Sequence, residues 1–390
     1  MRVSRVLAGL MALVILAGCG SAAAVLPPKP GPVTKLPANP GSLRMSFALL
    51  SSMASQENAV ISPVSLVFAL AMAAEMNEGG PEAGARLYSY LFSNEDPAQA
   101  RRQVQDLGDL LSASDPGMVL TLANSAWLKE SMTLPDDTRK ALEARFSAAI
   151  RNIDFDDTAS AASTINKWVE EKTRGLIKNL LSPASLAGAE YTLVNALYMK
   201  GKWEQAFKKD ETKDQAFHGA GGDTQVPMMH QHLKASYYED GLLQSIWLPY
   251  KGGKFGMRVL LPKPGKTVKD VMAAMTPETW SQWTGRTSPS EGDLSLPRFK
   301  VEFTSRDIYS ALRQMGMPAI RDGLTQVLQK TYVKVDEEGT EAAAATAVTV
   351  ATAYAPSEKP FNMVVDRPFV FAITAVGSDT PLFLCSVSKP

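Results

Sequence analysis

The chain has 390 residues with 40 basic and 40 acidic side chains, and apolar residues make up 45% of it. A net charge of zero argues against a nucleic-acid-binding protein, which needs excess basic charge to neutralise phosphates. Two cysteines and three histidines exclude a disulfide framework and a cysteine-rich zinc site. The chain is long enough to bury a large core.

The first segment predicts the destination of the protein. Residues 1–18 are typical of a secretory signal peptide, with a basic start and an uninterrupted run of apolar and small residues that is too short to span a bilayer. The run ends in Leu-Ala-Gly-Cys, which resembles the lipobox of bacterial lipoproteins, so Cys19 is the expected site of lipidation. The alternative is an ordinary signal peptide cleaved near residues 22–24.

The residues after Cys19 predict a tether. Gly20 rather than Asp follows the cysteine, which resembles outer-membrane sorting in envelopes with two membranes. We therefore expect a secreted protein that is lipid-anchored to the bacterial envelope, at the outer membrane, or to the cell surface. Residues 19–42 contain six prolines and should form an extended, semi-rigid segment.

Residues 43–390 are predicted to form one mixed domain. Helical periodicity begins at Leu43, a helix start is expected at Ser62 because Pro63 follows it, and Ala161–Leu181 has the spacing of one buried helix face. Strand-like runs come later, at Tyr191–Met199, Gln244–Leu248, Gly256–Leu261, Asp293–Phe303, Tyr332–Val335, Met363–Val365, Phe369–Thr374 and Leu382–Val387. Early helices and late strands indicate the α+β class.

The sequence gives little support for a catalytic site or a metal site. The three histidines are His218, His230 and His232, and no Gly-rich phosphate loop or G-x-S-x-G motif is present. His230 and His232 have the two-residue spacing that places them on one strand face, but no third metal ligand is near in sequence. We expect no enzyme activity, no metal and no cofactor.

The most informative segment is 342–357, where sixteen residues carry no charge and eight are alanine. One interpretation is an alanine-rich helix, since Ala has the best helix propensity. The other is a strand with Glu341 facing water and an uncharged inward set of Thr340, Ala342, Ala344, Thr346, Val348 and Val350. The pattern alone does not separate the two.

Several ordered motifs resemble the serpin family over residues 43–390. The segment from Glu337 to Thr346 looks like the hinge of the serpin reactive loop, and Leu193–Glu204 is highly characteristic. Further matches are Asn58–Ser65, Ile165–Val169, Val226–Met229, Leu248–Tyr250, Leu296–Phe299 and Asp366–Phe371. The resemblance implies the serpin fold, with three β-sheets, eight to nine helices and an exposed reactive-centre loop.

The resemblance also implies a mechanism and a partner. A target protease would cleave the loop and remain attached as a covalent acyl complex, while the freed segment inserts into the main sheet. The expected hinge is Glu337, Glu338, Gly339, Thr340, Glu341, Ala342, Ala343, Ala344 and Ala345. Gly339 supplies backbone freedom, Thr340 is short enough to enter the sheet, and no proline occurs between Glu337 and Pro356. These features favour inhibition.

The loop sequence narrows the expected targets. Counting from Glu337 places the scissile bond at Ala353–Tyr354, with Thr352 and Ala355 as alternatives. No Lys or Arg lies between residues 342 and 357, so a trypsin-like protease has no cation to bind. Small residues suit elastase-like or subtilisin-like proteases, Tyr354 suits a chymotrypsin-like one, and papain-type cysteine proteases are also expected targets.

Two control regions follow from the resemblance. Ser62, Ser65, Asn195 and Gln329 match the shutter, the polar cluster under the point where the sheet opens; Gln329 replaces a common histidine. Trp203, Arg298 and Glu337 match the breach, where the loop begins to enter the sheet. The simpler alternatives are that Trp203 is a core residue and that Arg298–Glu337 is a surface ion pair worth at most about 1 kcal/mol.

Three functions remain to be compared. The preferred one is a lipid-anchored, suicide-type inhibitor of endopeptidases, expected to be a monomer, held at a membrane through Cys19 and without a nucleic-acid partner. The second is a non-inhibitory serpin that acts as an envelope binding protein. The third is an unrelated envelope lipoprotein enzyme, disfavoured by the missing nucleophile–base set.

Overall fold

Helices are concentrated early in the chain and strands late, as the sequence predicts, although among the described residues three strands precede residue 155 and three α-helices follow residue 267. The computed structural model describes residues 39–53, 58–76, 81–93, 96–112, 117–219, 221–305, 308–318, 329–340 and 360–390. The predicted signal peptide, Cys19, the tether before Asn39 and the loop segment 341–359 lie outside these ranges. The described residues all belong to one compact unit.

Nine α-helices occur in the described residues. They are α1 (Pro40–Ser52), α2 (Pro63–Met76), α3 (Pro81–Phe92), α4 (Pro97–Ser112), α5 (Asp136–Phe146), α6 (Thr158–Lys172), α7 (Val268–Ala274), α8 (Pro277–Gly285) and α9 (Ile308–Gln314). Short 3₁₀ helices cover Pro183–Leu186 and Lys209–Glu211.

The strands of the described residues number fifteen. They are β1 (Asn58–Ile61), β2 (Met118–Lys129), β3 (Ala149–Ile153), β4 (Tyr191–Lys202), β5 (Lys213–Gly219), β6 (Gly222–Glu239), β7 (Leu243–Pro249), β8 (Phe255–Pro262), β9 (Ser288–Pro297), β10 (Phe299–Ser305), β11 (Gln329–Asp336), β12 (Gly339–Thr340), β13 (Phe361–Val364), β14 (Phe369–Ala375) and β15 (Phe383–Val387).

Hydrogen bonding joins these strands into two sheets. One has six strands in the order β10-β11-β12-β4-β2-β3, and the other has nine, in the order β1-β15-β14-β8-β7-β6-β9-β13 with β5 paired to β6. Three sheets were expected from the family resemblance. The nine-stranded sheet is continuous because β6 is 18 residues long and pairs in turn with β5 at its start, with β9 from Met228 to Tyr237 and with β7 at its end.

The main core lies between the two sheets and includes α2. This helix is apolar on all sides and buries twelve of its fourteen residues, as expected for a central helix. A second, smaller core lies on the other face of the six-stranded sheet, under α6. There the rings of Trp127 and Trp168 meet edge to face, with centroids 6.1 Å apart.

Three predicted boundaries are corrected. α1 begins at Pro40, inside the predicted tether, because Asn39 caps the helix by accepting from the Ser42 amide at 3.1 Å and proline suits the first turn. The predicted helix over 161–181 ends at Lys172, since left-handed residues follow. The predicted strand over 293–303 is two strands in different sheets, divided after Pro297.

Candidate functional site

The start of the predicted hinge forms a hairpin inside the six-stranded sheet. β11 turns through Glu337 and Glu338 into β12, where Gly339 pairs with Asp336. On its other side β12 pairs with β4, Gly339 with Lys202 and Thr340 with Gly201 in the same antiparallel direction. The first two residues of the incoming strand therefore already lie between β11 and β4.

Gly339 is required by the close approach of the two backbones. Its φ is +152°, and a Cβ there would lie 2.0 Å from the carbonyl oxygen of Gly201. Real Cβ atoms are never that close to a carbonyl oxygen, so any side chain would force the hairpin away from β4. Gly339 therefore allows β12 to lie against β4, in addition to supplying the backbone freedom expected from the sequence.

Thr340 points into the core, as the alternation predicts. Only 3% of it is exposed, and its hydroxyl lies 2.6 Å from that of Tyr250. Tyr250 is completely buried and stacks on Trp203, with ring centroids 4.7 Å apart and planes 6° from parallel. The pocket for residue 340 thus accepts a short side chain with one hydroxyl.

Glu337 and Arg298 form the ion pair expected at the breach. Thr212 donates a second hydrogen bond to the same carboxylate oxygen at 2.7 Å. Burial by itself would raise the pKa of Glu337, but the hydrogen bonds from Arg298 and Thr212 outweigh it and hold the pKa below its ordinary value. The Glu337 side chain is 3% exposed and that of Arg298 is 43% exposed, so the pair joins a buried carboxylate to a guanidinium at the surface and differs from the fully exposed pair of the simpler alternative.

Trp203 holds the hairpin by its backbone as well as filling the core. Its indole Nε1 donates to the carbonyl of Asp336 at 2.9 Å, and its amide donates to the carbonyl of Glu338, also at 2.9 Å. Lys209 donates to the Glu338 carboxylate at 2.5 Å. Trp203 itself is 4% exposed. It is therefore a core residue, and through its hydrogen bonds it also holds the hairpin in place.

Ser62, Ser65 and Gln329 come together as the sequence predicts for the shutter. Gln329 makes two hydrogen bonds to the backbone of Ser62: its carbonyl oxygen accepts from the Ser62 amide at 2.7 Å, and its Nε2 donates to the Ser62 carbonyl at 3.0 Å. The Ser62 hydroxyl donates to that of Ser65 at 2.8 Å. An amide thus ties β11 to the start of α2 with a group that does not titrate.

Asn195 is not bonded to this trio. Its Nδ2 donates to Asn124 of β2 at 2.6 Å, and Asn124 in turn donates to the carbonyl of Phe146 at 2.7 Å. The Asn195 Oδ1 is buried and has no hydrogen-bond partner in the part of the chain that the structure describes. An unpaired buried acceptor costs about 1–3 kcal/mol, so a donor arriving at this point would stabilise the structure.

The histidines are engaged locally. His230 and His232 lie on β6, where His230 Nδ1 is 2.9 Å from the Ser295 hydroxyl and His232 contacts Asp293 at 2.8 Å and Glu291 at 3.1 Å. Within the described ranges no group of three ligating side chains could hold a metal ion. No helix in those ranges is long and apolar enough to cross a membrane.

The remaining predicted site residues lie outside the described ranges. These are Glu341 to Ala345 of the hinge, the four candidate scissile-bond residues and Cys19. Sequence reasoning also missed three contacts of the hairpin, from Tyr250, Thr212 and Lys209. Tyr250 belongs to the motif Leu-Pro-Tyr at 248–250, but nothing in the spacing of the other two indicates that they meet the hinge.

Comparison with known proteins agrees with this architecture. The family model described as Serpin (serine protease inhibitor) matches residues 41–390. An uncharacterised serpin-like protein of Thermococcus kodakarensis is 31% identical, over 88% of this chain and 84% of its own length. Neuroserpin of Rattus norvegicus is 26% identical, over 87% of this chain and 88% of its own length.

A solved structure matches as well. The native state of Tengpin, a thermophilic serpin, superimposes with a TM-score of 0.79 at 26% identity, and covers 93% of this chain and 97% of its own. The expected α+β serpin fold is confirmed. The chain belongs to the serpin family, whose members are generally protease inhibitors.

Proposed function

We propose that this serpin is a suicide-type inhibitor of serine endopeptidases, and of cysteine endopeptidases that form the same kind of acyl intermediate. The protease nucleophile attacks the carbonyl carbon of Ala353, and the bond to Tyr354 breaks. The new N-terminal amine leaves with a proton from the protease's own base, and an ester or thioester to Ala353 remains. Insertion of the freed segment then carries the acylated protease along.

The register of β12 carries this proposal. Thr340 pairs with Gly201 of β4 and with Val335 of β11, so each further loop residue pairs one position lower on both strands. Even-numbered residues then face the core, as Thr340 does, and odd-numbered residues face the opposite side. The inward set after Thr340 is Ala342, Ala344, Thr346, Val348 and Val350, all uncharged and most of them small.

The same register would place a hydrogen-bond donor, the Thr346 hydroxyl, beside the unpartnered Oδ1 of Asn195. Six steps beyond Thr340, Thr346 falls opposite Asn195 of β4 and opposite Gln329 of β11. Its hydroxyl would point to the same side as both amides, within reach of the unpartnered Asn195 Oδ1. Insertion would therefore add a strand between β4 and β11 and give the buried Asn195 Oδ1 a hydrogen-bond donor.

The loop composition supports the proposed target class. With no Lys or Arg between residues 342 and 357, the segment offers nothing to a protease pocket that contains a carboxylate. Elastase-like, subtilisin-like and chymotrypsin-like proteases accept small or aromatic residues, which the loop provides around Ala353 and Tyr354.

The proposal is tested by incubating the protein with elastase, chymotrypsin, subtilisin and papain, followed by SDS gel electrophoresis and mass spectrometry of the released C-terminal peptide. A complex that survives SDS supports it, and the peptide mass identifies the scissile bond. Ala353→Arg should create a complex with trypsin, whereas the matched control Ala355→Arg should not. Cleavage by every protease without any complex would favour the non-inhibitory alternative.

We also propose that Cys19 is lipidated and anchors the inhibitor to the bacterial envelope or cell surface. The support is the sequence Leu-Ala-Gly-Cys after an apolar run and the proline-rich segment behind it, which would extend the inhibitory domain away from a membrane. Fatty-acid labelling of the wild type but not of Cys19→Ser is expected. An unlabelled wild-type chain starting near residue 23 would contradict lipidation.

A further inference from the structure

A cavity of about 330 Å³ lies at the end of the nine-stranded sheet, where β6 turns into β7 and β9 begins. Its volume falls in the range of small-molecule sites, about 300–1,000 Å³. Polar side chains form much of its wall, among them Tyr237, Tyr238, Glu239, Gln244, Arg286 and Ser290. None of the hinge, shutter or breach residues borders it, so the proposed trapping of a protease gives the cavity no role.

The inner end of the cavity contains a buried hydroxyl without a hydrogen bond of normal length. Ser290 of β9 lines the cavity and is only 7% exposed. Its hydroxyl lies 3.4 Å from the hydroxyl of Ser288 and 3.5 Å from the carbonyl oxygen of the same residue. Hydrogen bonds between hydroxyls and oxygen acceptors usually measure about 2.7–2.8 Å, and buried polar groups normally have a partner. We therefore expect a further partner for Ser290 inside the cavity.

The mouth of the cavity contains a guanidinium without a counter-ion. Arg286 follows the last residue of α8, lines the cavity and is exposed. No hydrogen bond or ion pair within the described ranges engages its side chain. A guanidinium presents parallel N–H donors that match the two oxygens of a carboxylate. Arg286 is therefore suited to receive a carboxylate from solution.

The acidic groups beside the mouth already have their donors. Glu239 accepts from the ammonium of Lys263 at 2.5 Å. Asp240 accepts from the hydroxyl of Tyr238 at 3.0 Å and from two backbone amides at 2.7 and 2.9 Å. Of these charged groups, Arg286 is the one that has no partner in the part of the chain that the structure describes. An anion that enters the mouth can therefore pair with a free guanidinium.

We propose that this cavity binds a small carboxylate. Arg286 holds the carboxylate group at the mouth, and the Ser290 hydroxyl bonds to a polar group of the same molecule at the inner end. The carboxylate belongs to a small organic acid or to the C-terminal residue of a short peptide, because both present the same group. Binding would give the buried hydroxyl its partner and the guanidinium its counter-ion. The site goes beyond the proposed function and does not depend on it.

Titration of the uncut protein at low salt, followed by ligand-observed NMR, tests the site with lactate and N-acetylalanine as probes. Both should bind the wild type in the millimolar range, whereas lactamide, which has the shape of lactate without its charge, should not. Whichever carboxylate binds more tightly identifies the source, a peptide C-terminus for N-acetylalanine and a small organic acid for lactate. Equal binding of lactate and lactamide, or no binding of either carboxylate, would overturn the proposal.

Two substitutions locate the binding. Arg286→Met keeps a long side chain and removes the guanidinium, so it should weaken the binding of both carboxylates about tenfold or more. Ser290→Ala removes a hydroxyl whose present contacts are long, so the fold should be retained while binding weakens about threefold to tenfold. Unchanged affinity in Arg286→Met would refute the site.

Arg102→Met is the matched control. Arg102 lies on α4, does not border the cavity and approaches Asp96 only at 4.0 Å. Its substitution removes the same charge from the protein and should leave the affinity for both carboxylates unchanged. If Arg102→Met and Arg286→Met weakened binding equally, the carboxylates would be responding to overall charge and the cavity would not be their site.

Discussion

Thr346 is the loop residue whose substitution tests the insertion register most directly. Continuing the pairing of Thr340 places it opposite Asn195 and Gln329, with its hydroxyl toward the unpartnered Asn195 Oδ1. Thr346→Val keeps the shape of the side chain and removes the hydroxyl. The inserted form then loses one hydrogen bond and leaves a buried acceptor unpaired, which together lower its stability by about 1–2 kcal/mol.

The assay compares cut and uncut protein. Each is unfolded in guanidinium chloride, and the free energy of unfolding is obtained from the midpoint and slope. We expect Thr346→Val to lower the stability of the cut form and to leave that of the uncut form unchanged. It should also raise the number of inhibitor molecules consumed per protease trapped, because a less favourable insertion leaves more time for the acyl bond to be hydrolysed.

Thr349→Val is the matched control on the same segment. In the proposed register Thr349 is odd-numbered and faces the opposite side of the sheet, away from Asn195, so its effect should stay within about 0.5 kcal/mol. Equal losses in the two variants would refute the register. A loss in the uncut form of Thr346→Val would show that the hydroxyl acts before cleavage and would refute the reasoning as well.

Three further predictions concern the described residues. Thr340→Arg places an unpaired cation at a position where the threonine is only 3% exposed, so the loop should still be cleaved while SDS-stable complexes disappear; their persistence would contradict the insertion argument. Since the pKa of Glu337 is lowered by Arg298, the stability that it adds is present above its ordinary value of 4.5 and is lost as pH falls through the lowered pKa. Thermal unfolding of Glu337→Gln should therefore differ from the wild type at neutral pH and converge with it in acid. Gln329→Leu leaves the Ser62 amide unpaired, while the Ser62 carbonyl keeps its bond from the Leu66 amide; it should lower the free energy of unfolding by about 1–3 kcal/mol, whereas a change below about 0.5 kcal/mol would contradict that role.

Local sequence patterns were sufficient for much of the fold. The buried helix α2 follows from a helix start at Ser62-Pro63 and an apolar run, and the hinge is identified by the resemblance of the segment from Glu337 to Thr346 to the serpin reactive loop. Such features depend on near neighbours in the chain. The inward orientation of Thr340 follows from alternation once the segment is taken as a strand.

Contacts between distant segments were harder to predict. Asn195 was expected in one cluster with Gln329, but it bonds to Asn124, because β2 is its direct neighbour and the described incoming strand is only two residues long. Thr212 and Lys209 meet the hinge through a 3₁₀ turn whose position no periodicity specifies. The division of 293–303 into two strands likewise depends on which sheet each half joins.

The short length of β12 has a consequence for the protein in concentrated solution. Beyond the two residues of β12, no strand of the described residues is hydrogen-bonded between β4 and β11, and each of these strands presents an unpaired edge to the other. Two such edges can accept any extended chain of suitable composition. The protein's own loop competes at a millimolar effective concentration, set by its attachment, so at micromolar protein it outcompetes a neighbour. Conditions that slow self-insertion should therefore lead to concentration-dependent association between copies.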